Sequence, residues 1–326
     1  MRHSRKQKTR WPWTSESQRR YTDRVIMRAR AANRPTLKRF ATWLQARGLC
    51  AGSITVRVHA GRVFVGRLAS DGKLLATRLR RLSADDIERF FIAYCKDHGN
   101  SARRSMQAAL RLFLRFAAQR GLATDGLVAS VPTLRSYRLS GIPRGLGDQE
   151  LTQVLLCLQK ACARDRAIMY LLTTYGVRRR QVCTLKLQDI DWQERRVTFA
   201  GIKGGKAVTH VLTPMVADSL ATYLRHERPA VDNEAVFLRR FPPHLRVGPT
   251  CVTSLVETAM RRAGLPRRGP HALRHAFATR LLAAGQSLKT IADLLGHRSL
   301  SSVGIYAKVD FARLREVAGE WPEVRP

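Results

Sequence analysis

Acid is scarce in this chain relative to base. Across 326 residues, 24 Asp and Glu face 59 Lys and Arg, a formal net charge of +35. A surplus of that size repels itself unless a polyanion is the usual partner. Nucleic acid is the first such partner to consider, because every phosphate neutralised by a cation releases condensed counterions. An anionic membrane surface is the competitor, but long apolar runs are missing. None approaches the roughly 20 residues that a membrane-spanning helix needs. We also expect no signal peptide, no lipidation motif and no amphipathic anchor with a large aromatic face. Cysteine is sparse and unpatterned: positions 50, 95, 157, 162, 183 and 251 include no Cys-x-x-Cys. That spacing argues against a zinc site or a disulfide frame and predicts reduced, buried thiols in a cytosolic protein. Convincing carboxylate clusters for a metal are missing as well. His271 and His275 lack the intervening Glu of an HExxH zinc motif. The balance points to nucleic acid, with no membrane and no metal.

What is present fills about two domains. Residues 1–34 open with MRHSRKQKTR, which has five cations and no acid, and continue through Arg19, Arg20, Arg24, Arg28, Arg30 and Arg34. They read as a basic tail, disordered alone and ordered along phosphates. Residues 35–121 predict four helices. Pro35 suits a first helical position, ahead of the stripe Leu37, Phe40 and Leu44. Ser53 is expected to cap the second helix, which carries Ile54, Val58, Val63 and Leu68. Ser83 and Asp86 make a capping-box pattern before Ile87, Phe90, Phe91 and Tyr94. The fourth helix sets Met106, Leu110, Phe113 and Phe116 against an arginine face of Arg103, Arg104, Arg111 and Arg115. Residues 122–147 mix Pro132, Gly141, Pro143 and Gly145 with little periodicity, which marks a linker.

From 148 to 326 the pattern is mainly helical. One helix starts at Asp148 and a second covers about 163–174, where Gly176 ends it. Val197 and Phe199, then Gly204-Gly205, then Val208 and Val211 predict a β-hairpin with glycines at the turn. Helices resume at Thr213-Pro214 and near 250–263, and a short terminal one is expected over 310–318. The fold class is therefore mainly α with a small antiparallel sheet.

The most informative stretch runs from His271 to Tyr306. Phe277, Leu281, Leu282, Ile291, Leu294 and Leu295 recur at helical spacing, and Gly285 and Gly296 fall where helices stop. Taken singly, its residues have ordinary explanations: a solvated Arg, a structural His, a core Tyr. In chain order the set is Gly176-Val177-Arg178, Lys203 beside Gly204-Gly205, His271-x-x-Arg274-His275, Leu295-Gly296-His297 and Tyr306. Such a set suits a phosphodiester. Two guanidiniums, Arg178 and Arg274, can neutralise charge on its non-bridging oxygens. A phenol can attack as a covalent nucleophile, and neighbouring cations favour its phenolate.

In order and spacing these residues resemble the tyrosine recombinase family (phage-integrase-like and Xer-like), the site-specific DNA strand-exchange enzymes. The resemblance covers about 148–309, and 35–121 is more weakly similar to the family's helical, SAM-like core-binding domain. It implies a two-domain DNA clamp with 148–326 as the catalytic domain. It implies that Tyr306 is the nucleophile and forms a 3′-phosphotyrosine, releasing a 5′-hydroxyl. Lys203 would protonate that leaving oxygen, with Lys206 the runner-up. Arg178 and Arg274 would bind the phosphate with His271 and His297, His271 also assisting acid–base transfer. No metal or ATP would be required. The implied partners are double-stranded DNA and a homo-oligomer, four protomers on two sites, or related recombinases, with possible accessory proteins. The implied location is cytoplasmic and nucleoid-associated. The arginine-rich start points to integration, excision or resolution for a mobile element. Two alternatives stay open: a type IB topoisomerase-like enzyme, and a catalytically silent DNA-binding protein of the same fold. Gln181 departs from the usual Glu, and Ser301-Ser302-Val303 replaces a threonine-rich approach to the tyrosine.

Overall fold

The fold comes from a computed structural model that describes residues 15–69, 75–135, 145–202 and 205–297. The chain divides into two compact units, Met1–Ser136 and Tyr137–Pro326.

The first unit is helical: α1 (Ser15–Met27), α2 (Arg34–Ala46), α3 (Ala51–Leu68), α4 (Leu75–Arg80), α5 (Ala84–Asp97) and α6 (Asn100–Gln119). Its core is aromatic. Phe40, Phe64, Phe113 and Phe116 are all buried, and Phe40 meets Phe113 edge-to-face at 5.1 Å. The expected capping box opens α5, where Ser83 Oγ accepts from the Asp86 N–H at 3.2 Å and Asp86 Oδ2 accepts from the Ser83 N–H at 3.1 Å. Four features differ from the sequence reading. Residues 15–27, assigned to the basic tail, form α1, because Val25 and Ile26 are apolar enough to bury on this core. Cys50, not Ser53, is the N-cap of α3. The six-residue α4 makes a fifth helix within 35–121, too short to announce itself by periodicity. The segment 122–135, read as linker, buries Val131 and lays Leu122, Leu127 and Leu134 on the core. Arg111 of the arginine face secures it, donating to the Val131 carbonyl at 3.1 Å and to Thr133 Oγ1 at 2.8 Å.

The second unit contains α7 (Asp148–Cys157), α8 (Ala163–Tyr175), α9 (Arg179–Thr184), β1 (Ile190–Asp191), β2 (Arg196–Phe199), β3 (Val208–Val211), α10 (Pro214–His226), α11 (Pro249–Arg262), α12 (Pro270–Ala283) and α13 (Leu288–Leu294). Helix α8 is its axis. Ala167, Ile168, Met169, Leu171 and Leu172 are buried around most of its circumference, with α10 and α12 packed on it. The strands form one antiparallel sheet in the order β1-β2-β3, and the two-residue β1 was too short to read as alternation. Pairing of Val197 with His210 and Phe199 with Val208 turns Val197, Phe199 and His210 inward. Tyr175, at the end of α8, stacks on His210 at 4.8 Å and donates its hydroxyl to the Val211 carbonyl at 2.8 Å. The end of α8 is thereby fixed to the end of β3. Phe277, Leu282, Ile291 and Leu295 close a small second core between α12 and α13.

The six cysteines are free thiols, but the expectation that they are buried holds only for Cys183. Cys50 and Cys251 sit on exposed helix starts. No helix among the described residues is long and apolar enough to cross a membrane.

Candidate active site

Helix α8 has to stop at Gly176. That residue adopts φ 58°, and a Cβ on it would lie 2.5 Å from the Phe277 ring. Only glycine meets both demands, and α12 can come close because of it. The Gly176 carbonyl then accepts a 2.8 Å hydrogen bond from Nη1 of Arg274. The chain extends through buried Val177 to Arg178, the N-cap of α9. The Arg178 N–H donates to Gln181 Oε1 at 2.9 Å, and Gln181 Nε2 donates to the Ala200 carbonyl at 3.2 Å. One buried amide thus ties the start of α9 to the chain just past β2.

The facing wall is α12, which presents His271, Arg274 and His275. Arg274 is 5% exposed and makes a second 2.8 Å bond, from Nη2 to the Leu295 carbonyl. Nη1 of Arg178 aims at the same turn from the other side, 3.4 Å from the Leu295 oxygen and 3.5 Å from that of Gly296. Carbonyls at the C-terminal end of α13 carry partial negative charge, which orients both guanidiniums. Gly296 (φ 62°) has room for no side chain, since its Cβ would sit 2.7 Å from Val208. The end of α13 therefore packs on β3 and delivers His297 beside the arginines.

These elements surround a cavity of about 440 Å³. Arg178, Arg179, Arg180, Arg274, His271 and His297 line it, and among the described residues no carboxylate does. Burial lowers the imidazole pKa of His271, helped by Arg179, Arg274 and Arg178. Burial lowers that of His275 too, with His271 and Arg274 adding to it. His297 is pushed down to about 4, by burial first and then by Arg274, Arg178 and His275. All three rings are thus neutral at pH 7, each with one donor and one acceptor nitrogen. Nδ1 of His297 is buried without a hydrogen-bond partner among the described residues. An anion entering the cavity would offset the arginines and draw the imidazoles toward protonation. Among the described residues, no group of three or more His, Cys, Asp or Glu could hold a metal ion.

The structure brings Arg178, His271, Arg274 and His297 to one cavity. Lys203 and Tyr306 lie outside the described residues, as do Ser301-Ser302-Val303 and 310–326. Ile202 and Gly205, which flank Lys203-Gly204, line the cavity, whereas Lys206 is exposed and does not. Of the three consecutive arginines, Arg178 alone turns inward. Arg179 donates to Thr253 Oγ1 on α11 at 2.7 Å, and Arg180 is exposed at the rim. Sequence reading missed Gln181 as a bridge. Its only signal was its place three residues after an N-cap, a position whose side chain reaches back to the cap N–H.

The model of the phage integrase family matches residues 146–313. The Sinorhizobium fredii protein y4rA, named as an integrase/recombinase, is 34% identical over 268 residues, covering 80% of this chain and 64% of that protein. The chain thus spans less than two-thirds of that relative's length. The tyrosine recombinase XerC of Mycobacterium leprae is 31% identical over 278 residues, covering 79% of this chain and 91% of XerC. A crystal structure of XerH site-specific recombinase bound to a palindromic difH substrate superposes with TM-score 0.68 at 20% identity, covering 95% of this chain and 90% of that one. This chain belongs to the phage integrase family, whose members here carry the name tyrosine recombinase.

Proposed function

We propose that this chain cuts and rejoins double-stranded DNA as a site-specific tyrosine recombinase. The observation that carries the reading is the convergence of Arg178 and Arg274 on one cavity to which the described residues bring no carboxylate, with His271 and His297 at its edges. In this reading the two guanidiniums bind the non-bridging oxygens of a phosphodiester and hold the charge that grows on them during attack. The Tyr306 phenolate oxygen attacks phosphorus, the bond to the 5′ oxygen breaks, and a 3′-phosphotyrosine forms. Lys203 supplies the proton that turns the leaving oxygen into a 5′-hydroxyl. Its neighbours Ile202 and Gly205 at the cavity support Lys203 over Lys206. His271 and His297, neutral before DNA binds, share hydrogen bonds with the phosphate, and His271 relays a proton. Attack by a second 5′-hydroxyl reverses the step, so the energy of the broken bond is kept in the phosphotyrosine and neither ATP nor a metal is needed. Strand exchange requires more than one protomer on DNA, which makes a homo-oligomer the partner.

The test is covalent trapping. Wild type and Tyr306→Phe are incubated with nicked genomic fragments in EDTA, and SDS-resistant adducts are collected. The expected result is an adduct on the 3′ phosphate, absent in Tyr306→Phe, with one recurring sequence at the junction. An adduct with no sequence preference, accompanied by plasmid relaxation, would replace the recombinase reading with a topoisomerase. DNA binding without any adduct would overturn the enzyme reading.

A further inference from the structure

Between α10 and α11 the chain builds a small hydrogen-bonded finger. Leu238 bridges Arg246 in antiparallel fashion, the Arg239 N–H donates to the Leu245 carbonyl at 2.8 Å, and the Val247 N–H donates to the Phe237 carbonyl at 2.9 Å. The tip closes with the His244 N–H on the Phe241 carbonyl at 3.2 Å. This ordered hairpin holds an aromatic ring out into solvent. Phe241 is 75% exposed, the most exposed of the large hydrophobic residues described, and Leu245 beside it is 50% exposed. Both flanks are cationic, with Arg239 and Arg240 exposed before the tip and Arg246 half-buried after it. No acid occurs anywhere from 235 to 256. At its base the finger runs directly into α11, whose Thr253 is bonded to Arg179 of the cavity rim.

We propose that the 238–247 hairpin is a second DNA-contacting site, in which Phe241 packs on sugar and base edges while Arg239 and Arg240 take the flanking phosphates. The proposal rests on the reading that the chain acts on duplex DNA. An ordered aromatic ring costs little side-chain entropy when it binds, and every nucleotide offers an apolar sugar edge or a base face. The absence of acid around it suits a phosphate track continuous with the cavity rather than an ordinary protein surface.

Binding of the full-length chain to a labelled duplex of mixed sequence, followed by fluorescence anisotropy across a salt series, tests it. Phe241→Ala should weaken binding about 5- to 100-fold with an unchanged salt slope, and Phe241→Tyr should restore most of the loss. The double variant Arg239→Ala with Arg240→Ala should instead flatten the log–log salt slope by about 2. Circular dichroism confirms folding, which an exposed tip does not control. Wild-type affinity in Phe241→Ala overturns the proposal. So does unchanged duplex binding with lost self-association in sedimentation, which would make the finger a protein contact. Adduct formation through Tyr306 separates the two readings: an adduct in Phe241→Ala at saturating protein keeps the enzyme reading whatever the finger does, and no adduct in wild type sinks that reading on its own.

Discussion

The two walls of the cavity solve one problem in different ways. On the α12 wall, Arg274 is buried and locked by two 2.8 Å bonds to the carbonyls of Gly176 and Leu295. On the α9 wall, Arg178 is half-buried and reaches its carbonyls only at 3.4 and 3.5 Å. Its backbone, rather than its guanidinium, is what the protein fixes, through Gln181. One cation is thus part of the core and held by two short bonds, and the other is half-buried beside the same turn on longer ones. Electrostatic catalysis benefits from the first, since donors already in place need no rearrangement as charge develops.

Arginine substitutions test this asymmetry most severely. Arg274→Ala and Arg178→Ala should each slow adduct formation by about a hundredfold or more, the cost of losing one oxyanion donor, roughly 3 kcal/mol. Their stabilities should diverge. Arg274→Ala strands the buried Gly176 carbonyl and leaves that of Leu295 only the longer bond from Arg178, and should cost about 1–3 kcal/mol in urea unfolding. Arg178→Ala, whose longer bonds leave less to lose and whose backbone stays tied through Gln181, should cost about half as much or less. Equal destabilisation by the two would erase the distinction between the walls. Arg274→Lys restores charge but cannot span both carbonyls, so it should recover little of either loss.

Next in size is the glycine that lets the walls meet. Gly176→Ala demands a left-handed alanine and puts its Cβ 2.5 Å from Phe277. About 2–3 kcal/mol of stability should disappear, visible as a lower urea midpoint. The double variant with Phe277→Leu should not recover the backbone part. Full recovery would mean that the ring alone, and not φ, makes glycine necessary.

Much of this site was legible because it is written in local chemistry. Gly176 and Gly296 mark helix ends, His271 and Arg274 share a helix turn, and the alternation of Val197 and Phe199 gives a strand whatever it packs against. What stayed hidden is longer in range. Nothing local reveals that the Gln181 amide reaches Ala200, or that Leu295 offers its carbonyl to two arginines from different helices. The same holds in the first unit. The aromatic stripe of α6 could be read by period, whereas α1 and residues 122–135 looked polar and irregular, and their few apolar side chains count only once the core they cover exists.

Gln181 is the tether of the α9 wall, and its replacement should produce a graded effect. Gln181→Met keeps the volume but leaves the Arg178 N–H and Ala200 carbonyl unsatisfied, for a loss of about 2 kcal/mol. Gln181→Glu keeps the acceptor for Arg178 and loses only the donor to Ala200, so its loss should be about half that. With about 2–4 °C of melting temperature per kcal/mol in a unit of this size, calorimetry resolves the order. A Glu variant as damaged as the Met variant would show that the hairpin contact, not the Arg178 cap, holds the wall.

The smallest effect concerns protons. The folded pKa of His297 lies near 4, below its ordinary value of 6.5, because burial and then Arg274, Arg178 and His275 oppose its charge. The unfolded chain therefore binds more protons than the folded one between those two values. Stability should be full above pH 6.5 and fall as pH drops toward 4. His271 and His275 shift in the same direction and contribute to the same window. His297→Gln removes one of the three, so its melting temperature should fall less than that of wild type between pH 7 and pH 4.5. A second arm sharpens the link to the α12 wall. In Arg274→Ala the largest nearby positive charge is gone, so the His297 resonance in an NMR titration should move to higher pKa. An unshifted titration would leave Arg274 with no electrostatic hold on the ring and assign the depression to burial and the remaining neighbours.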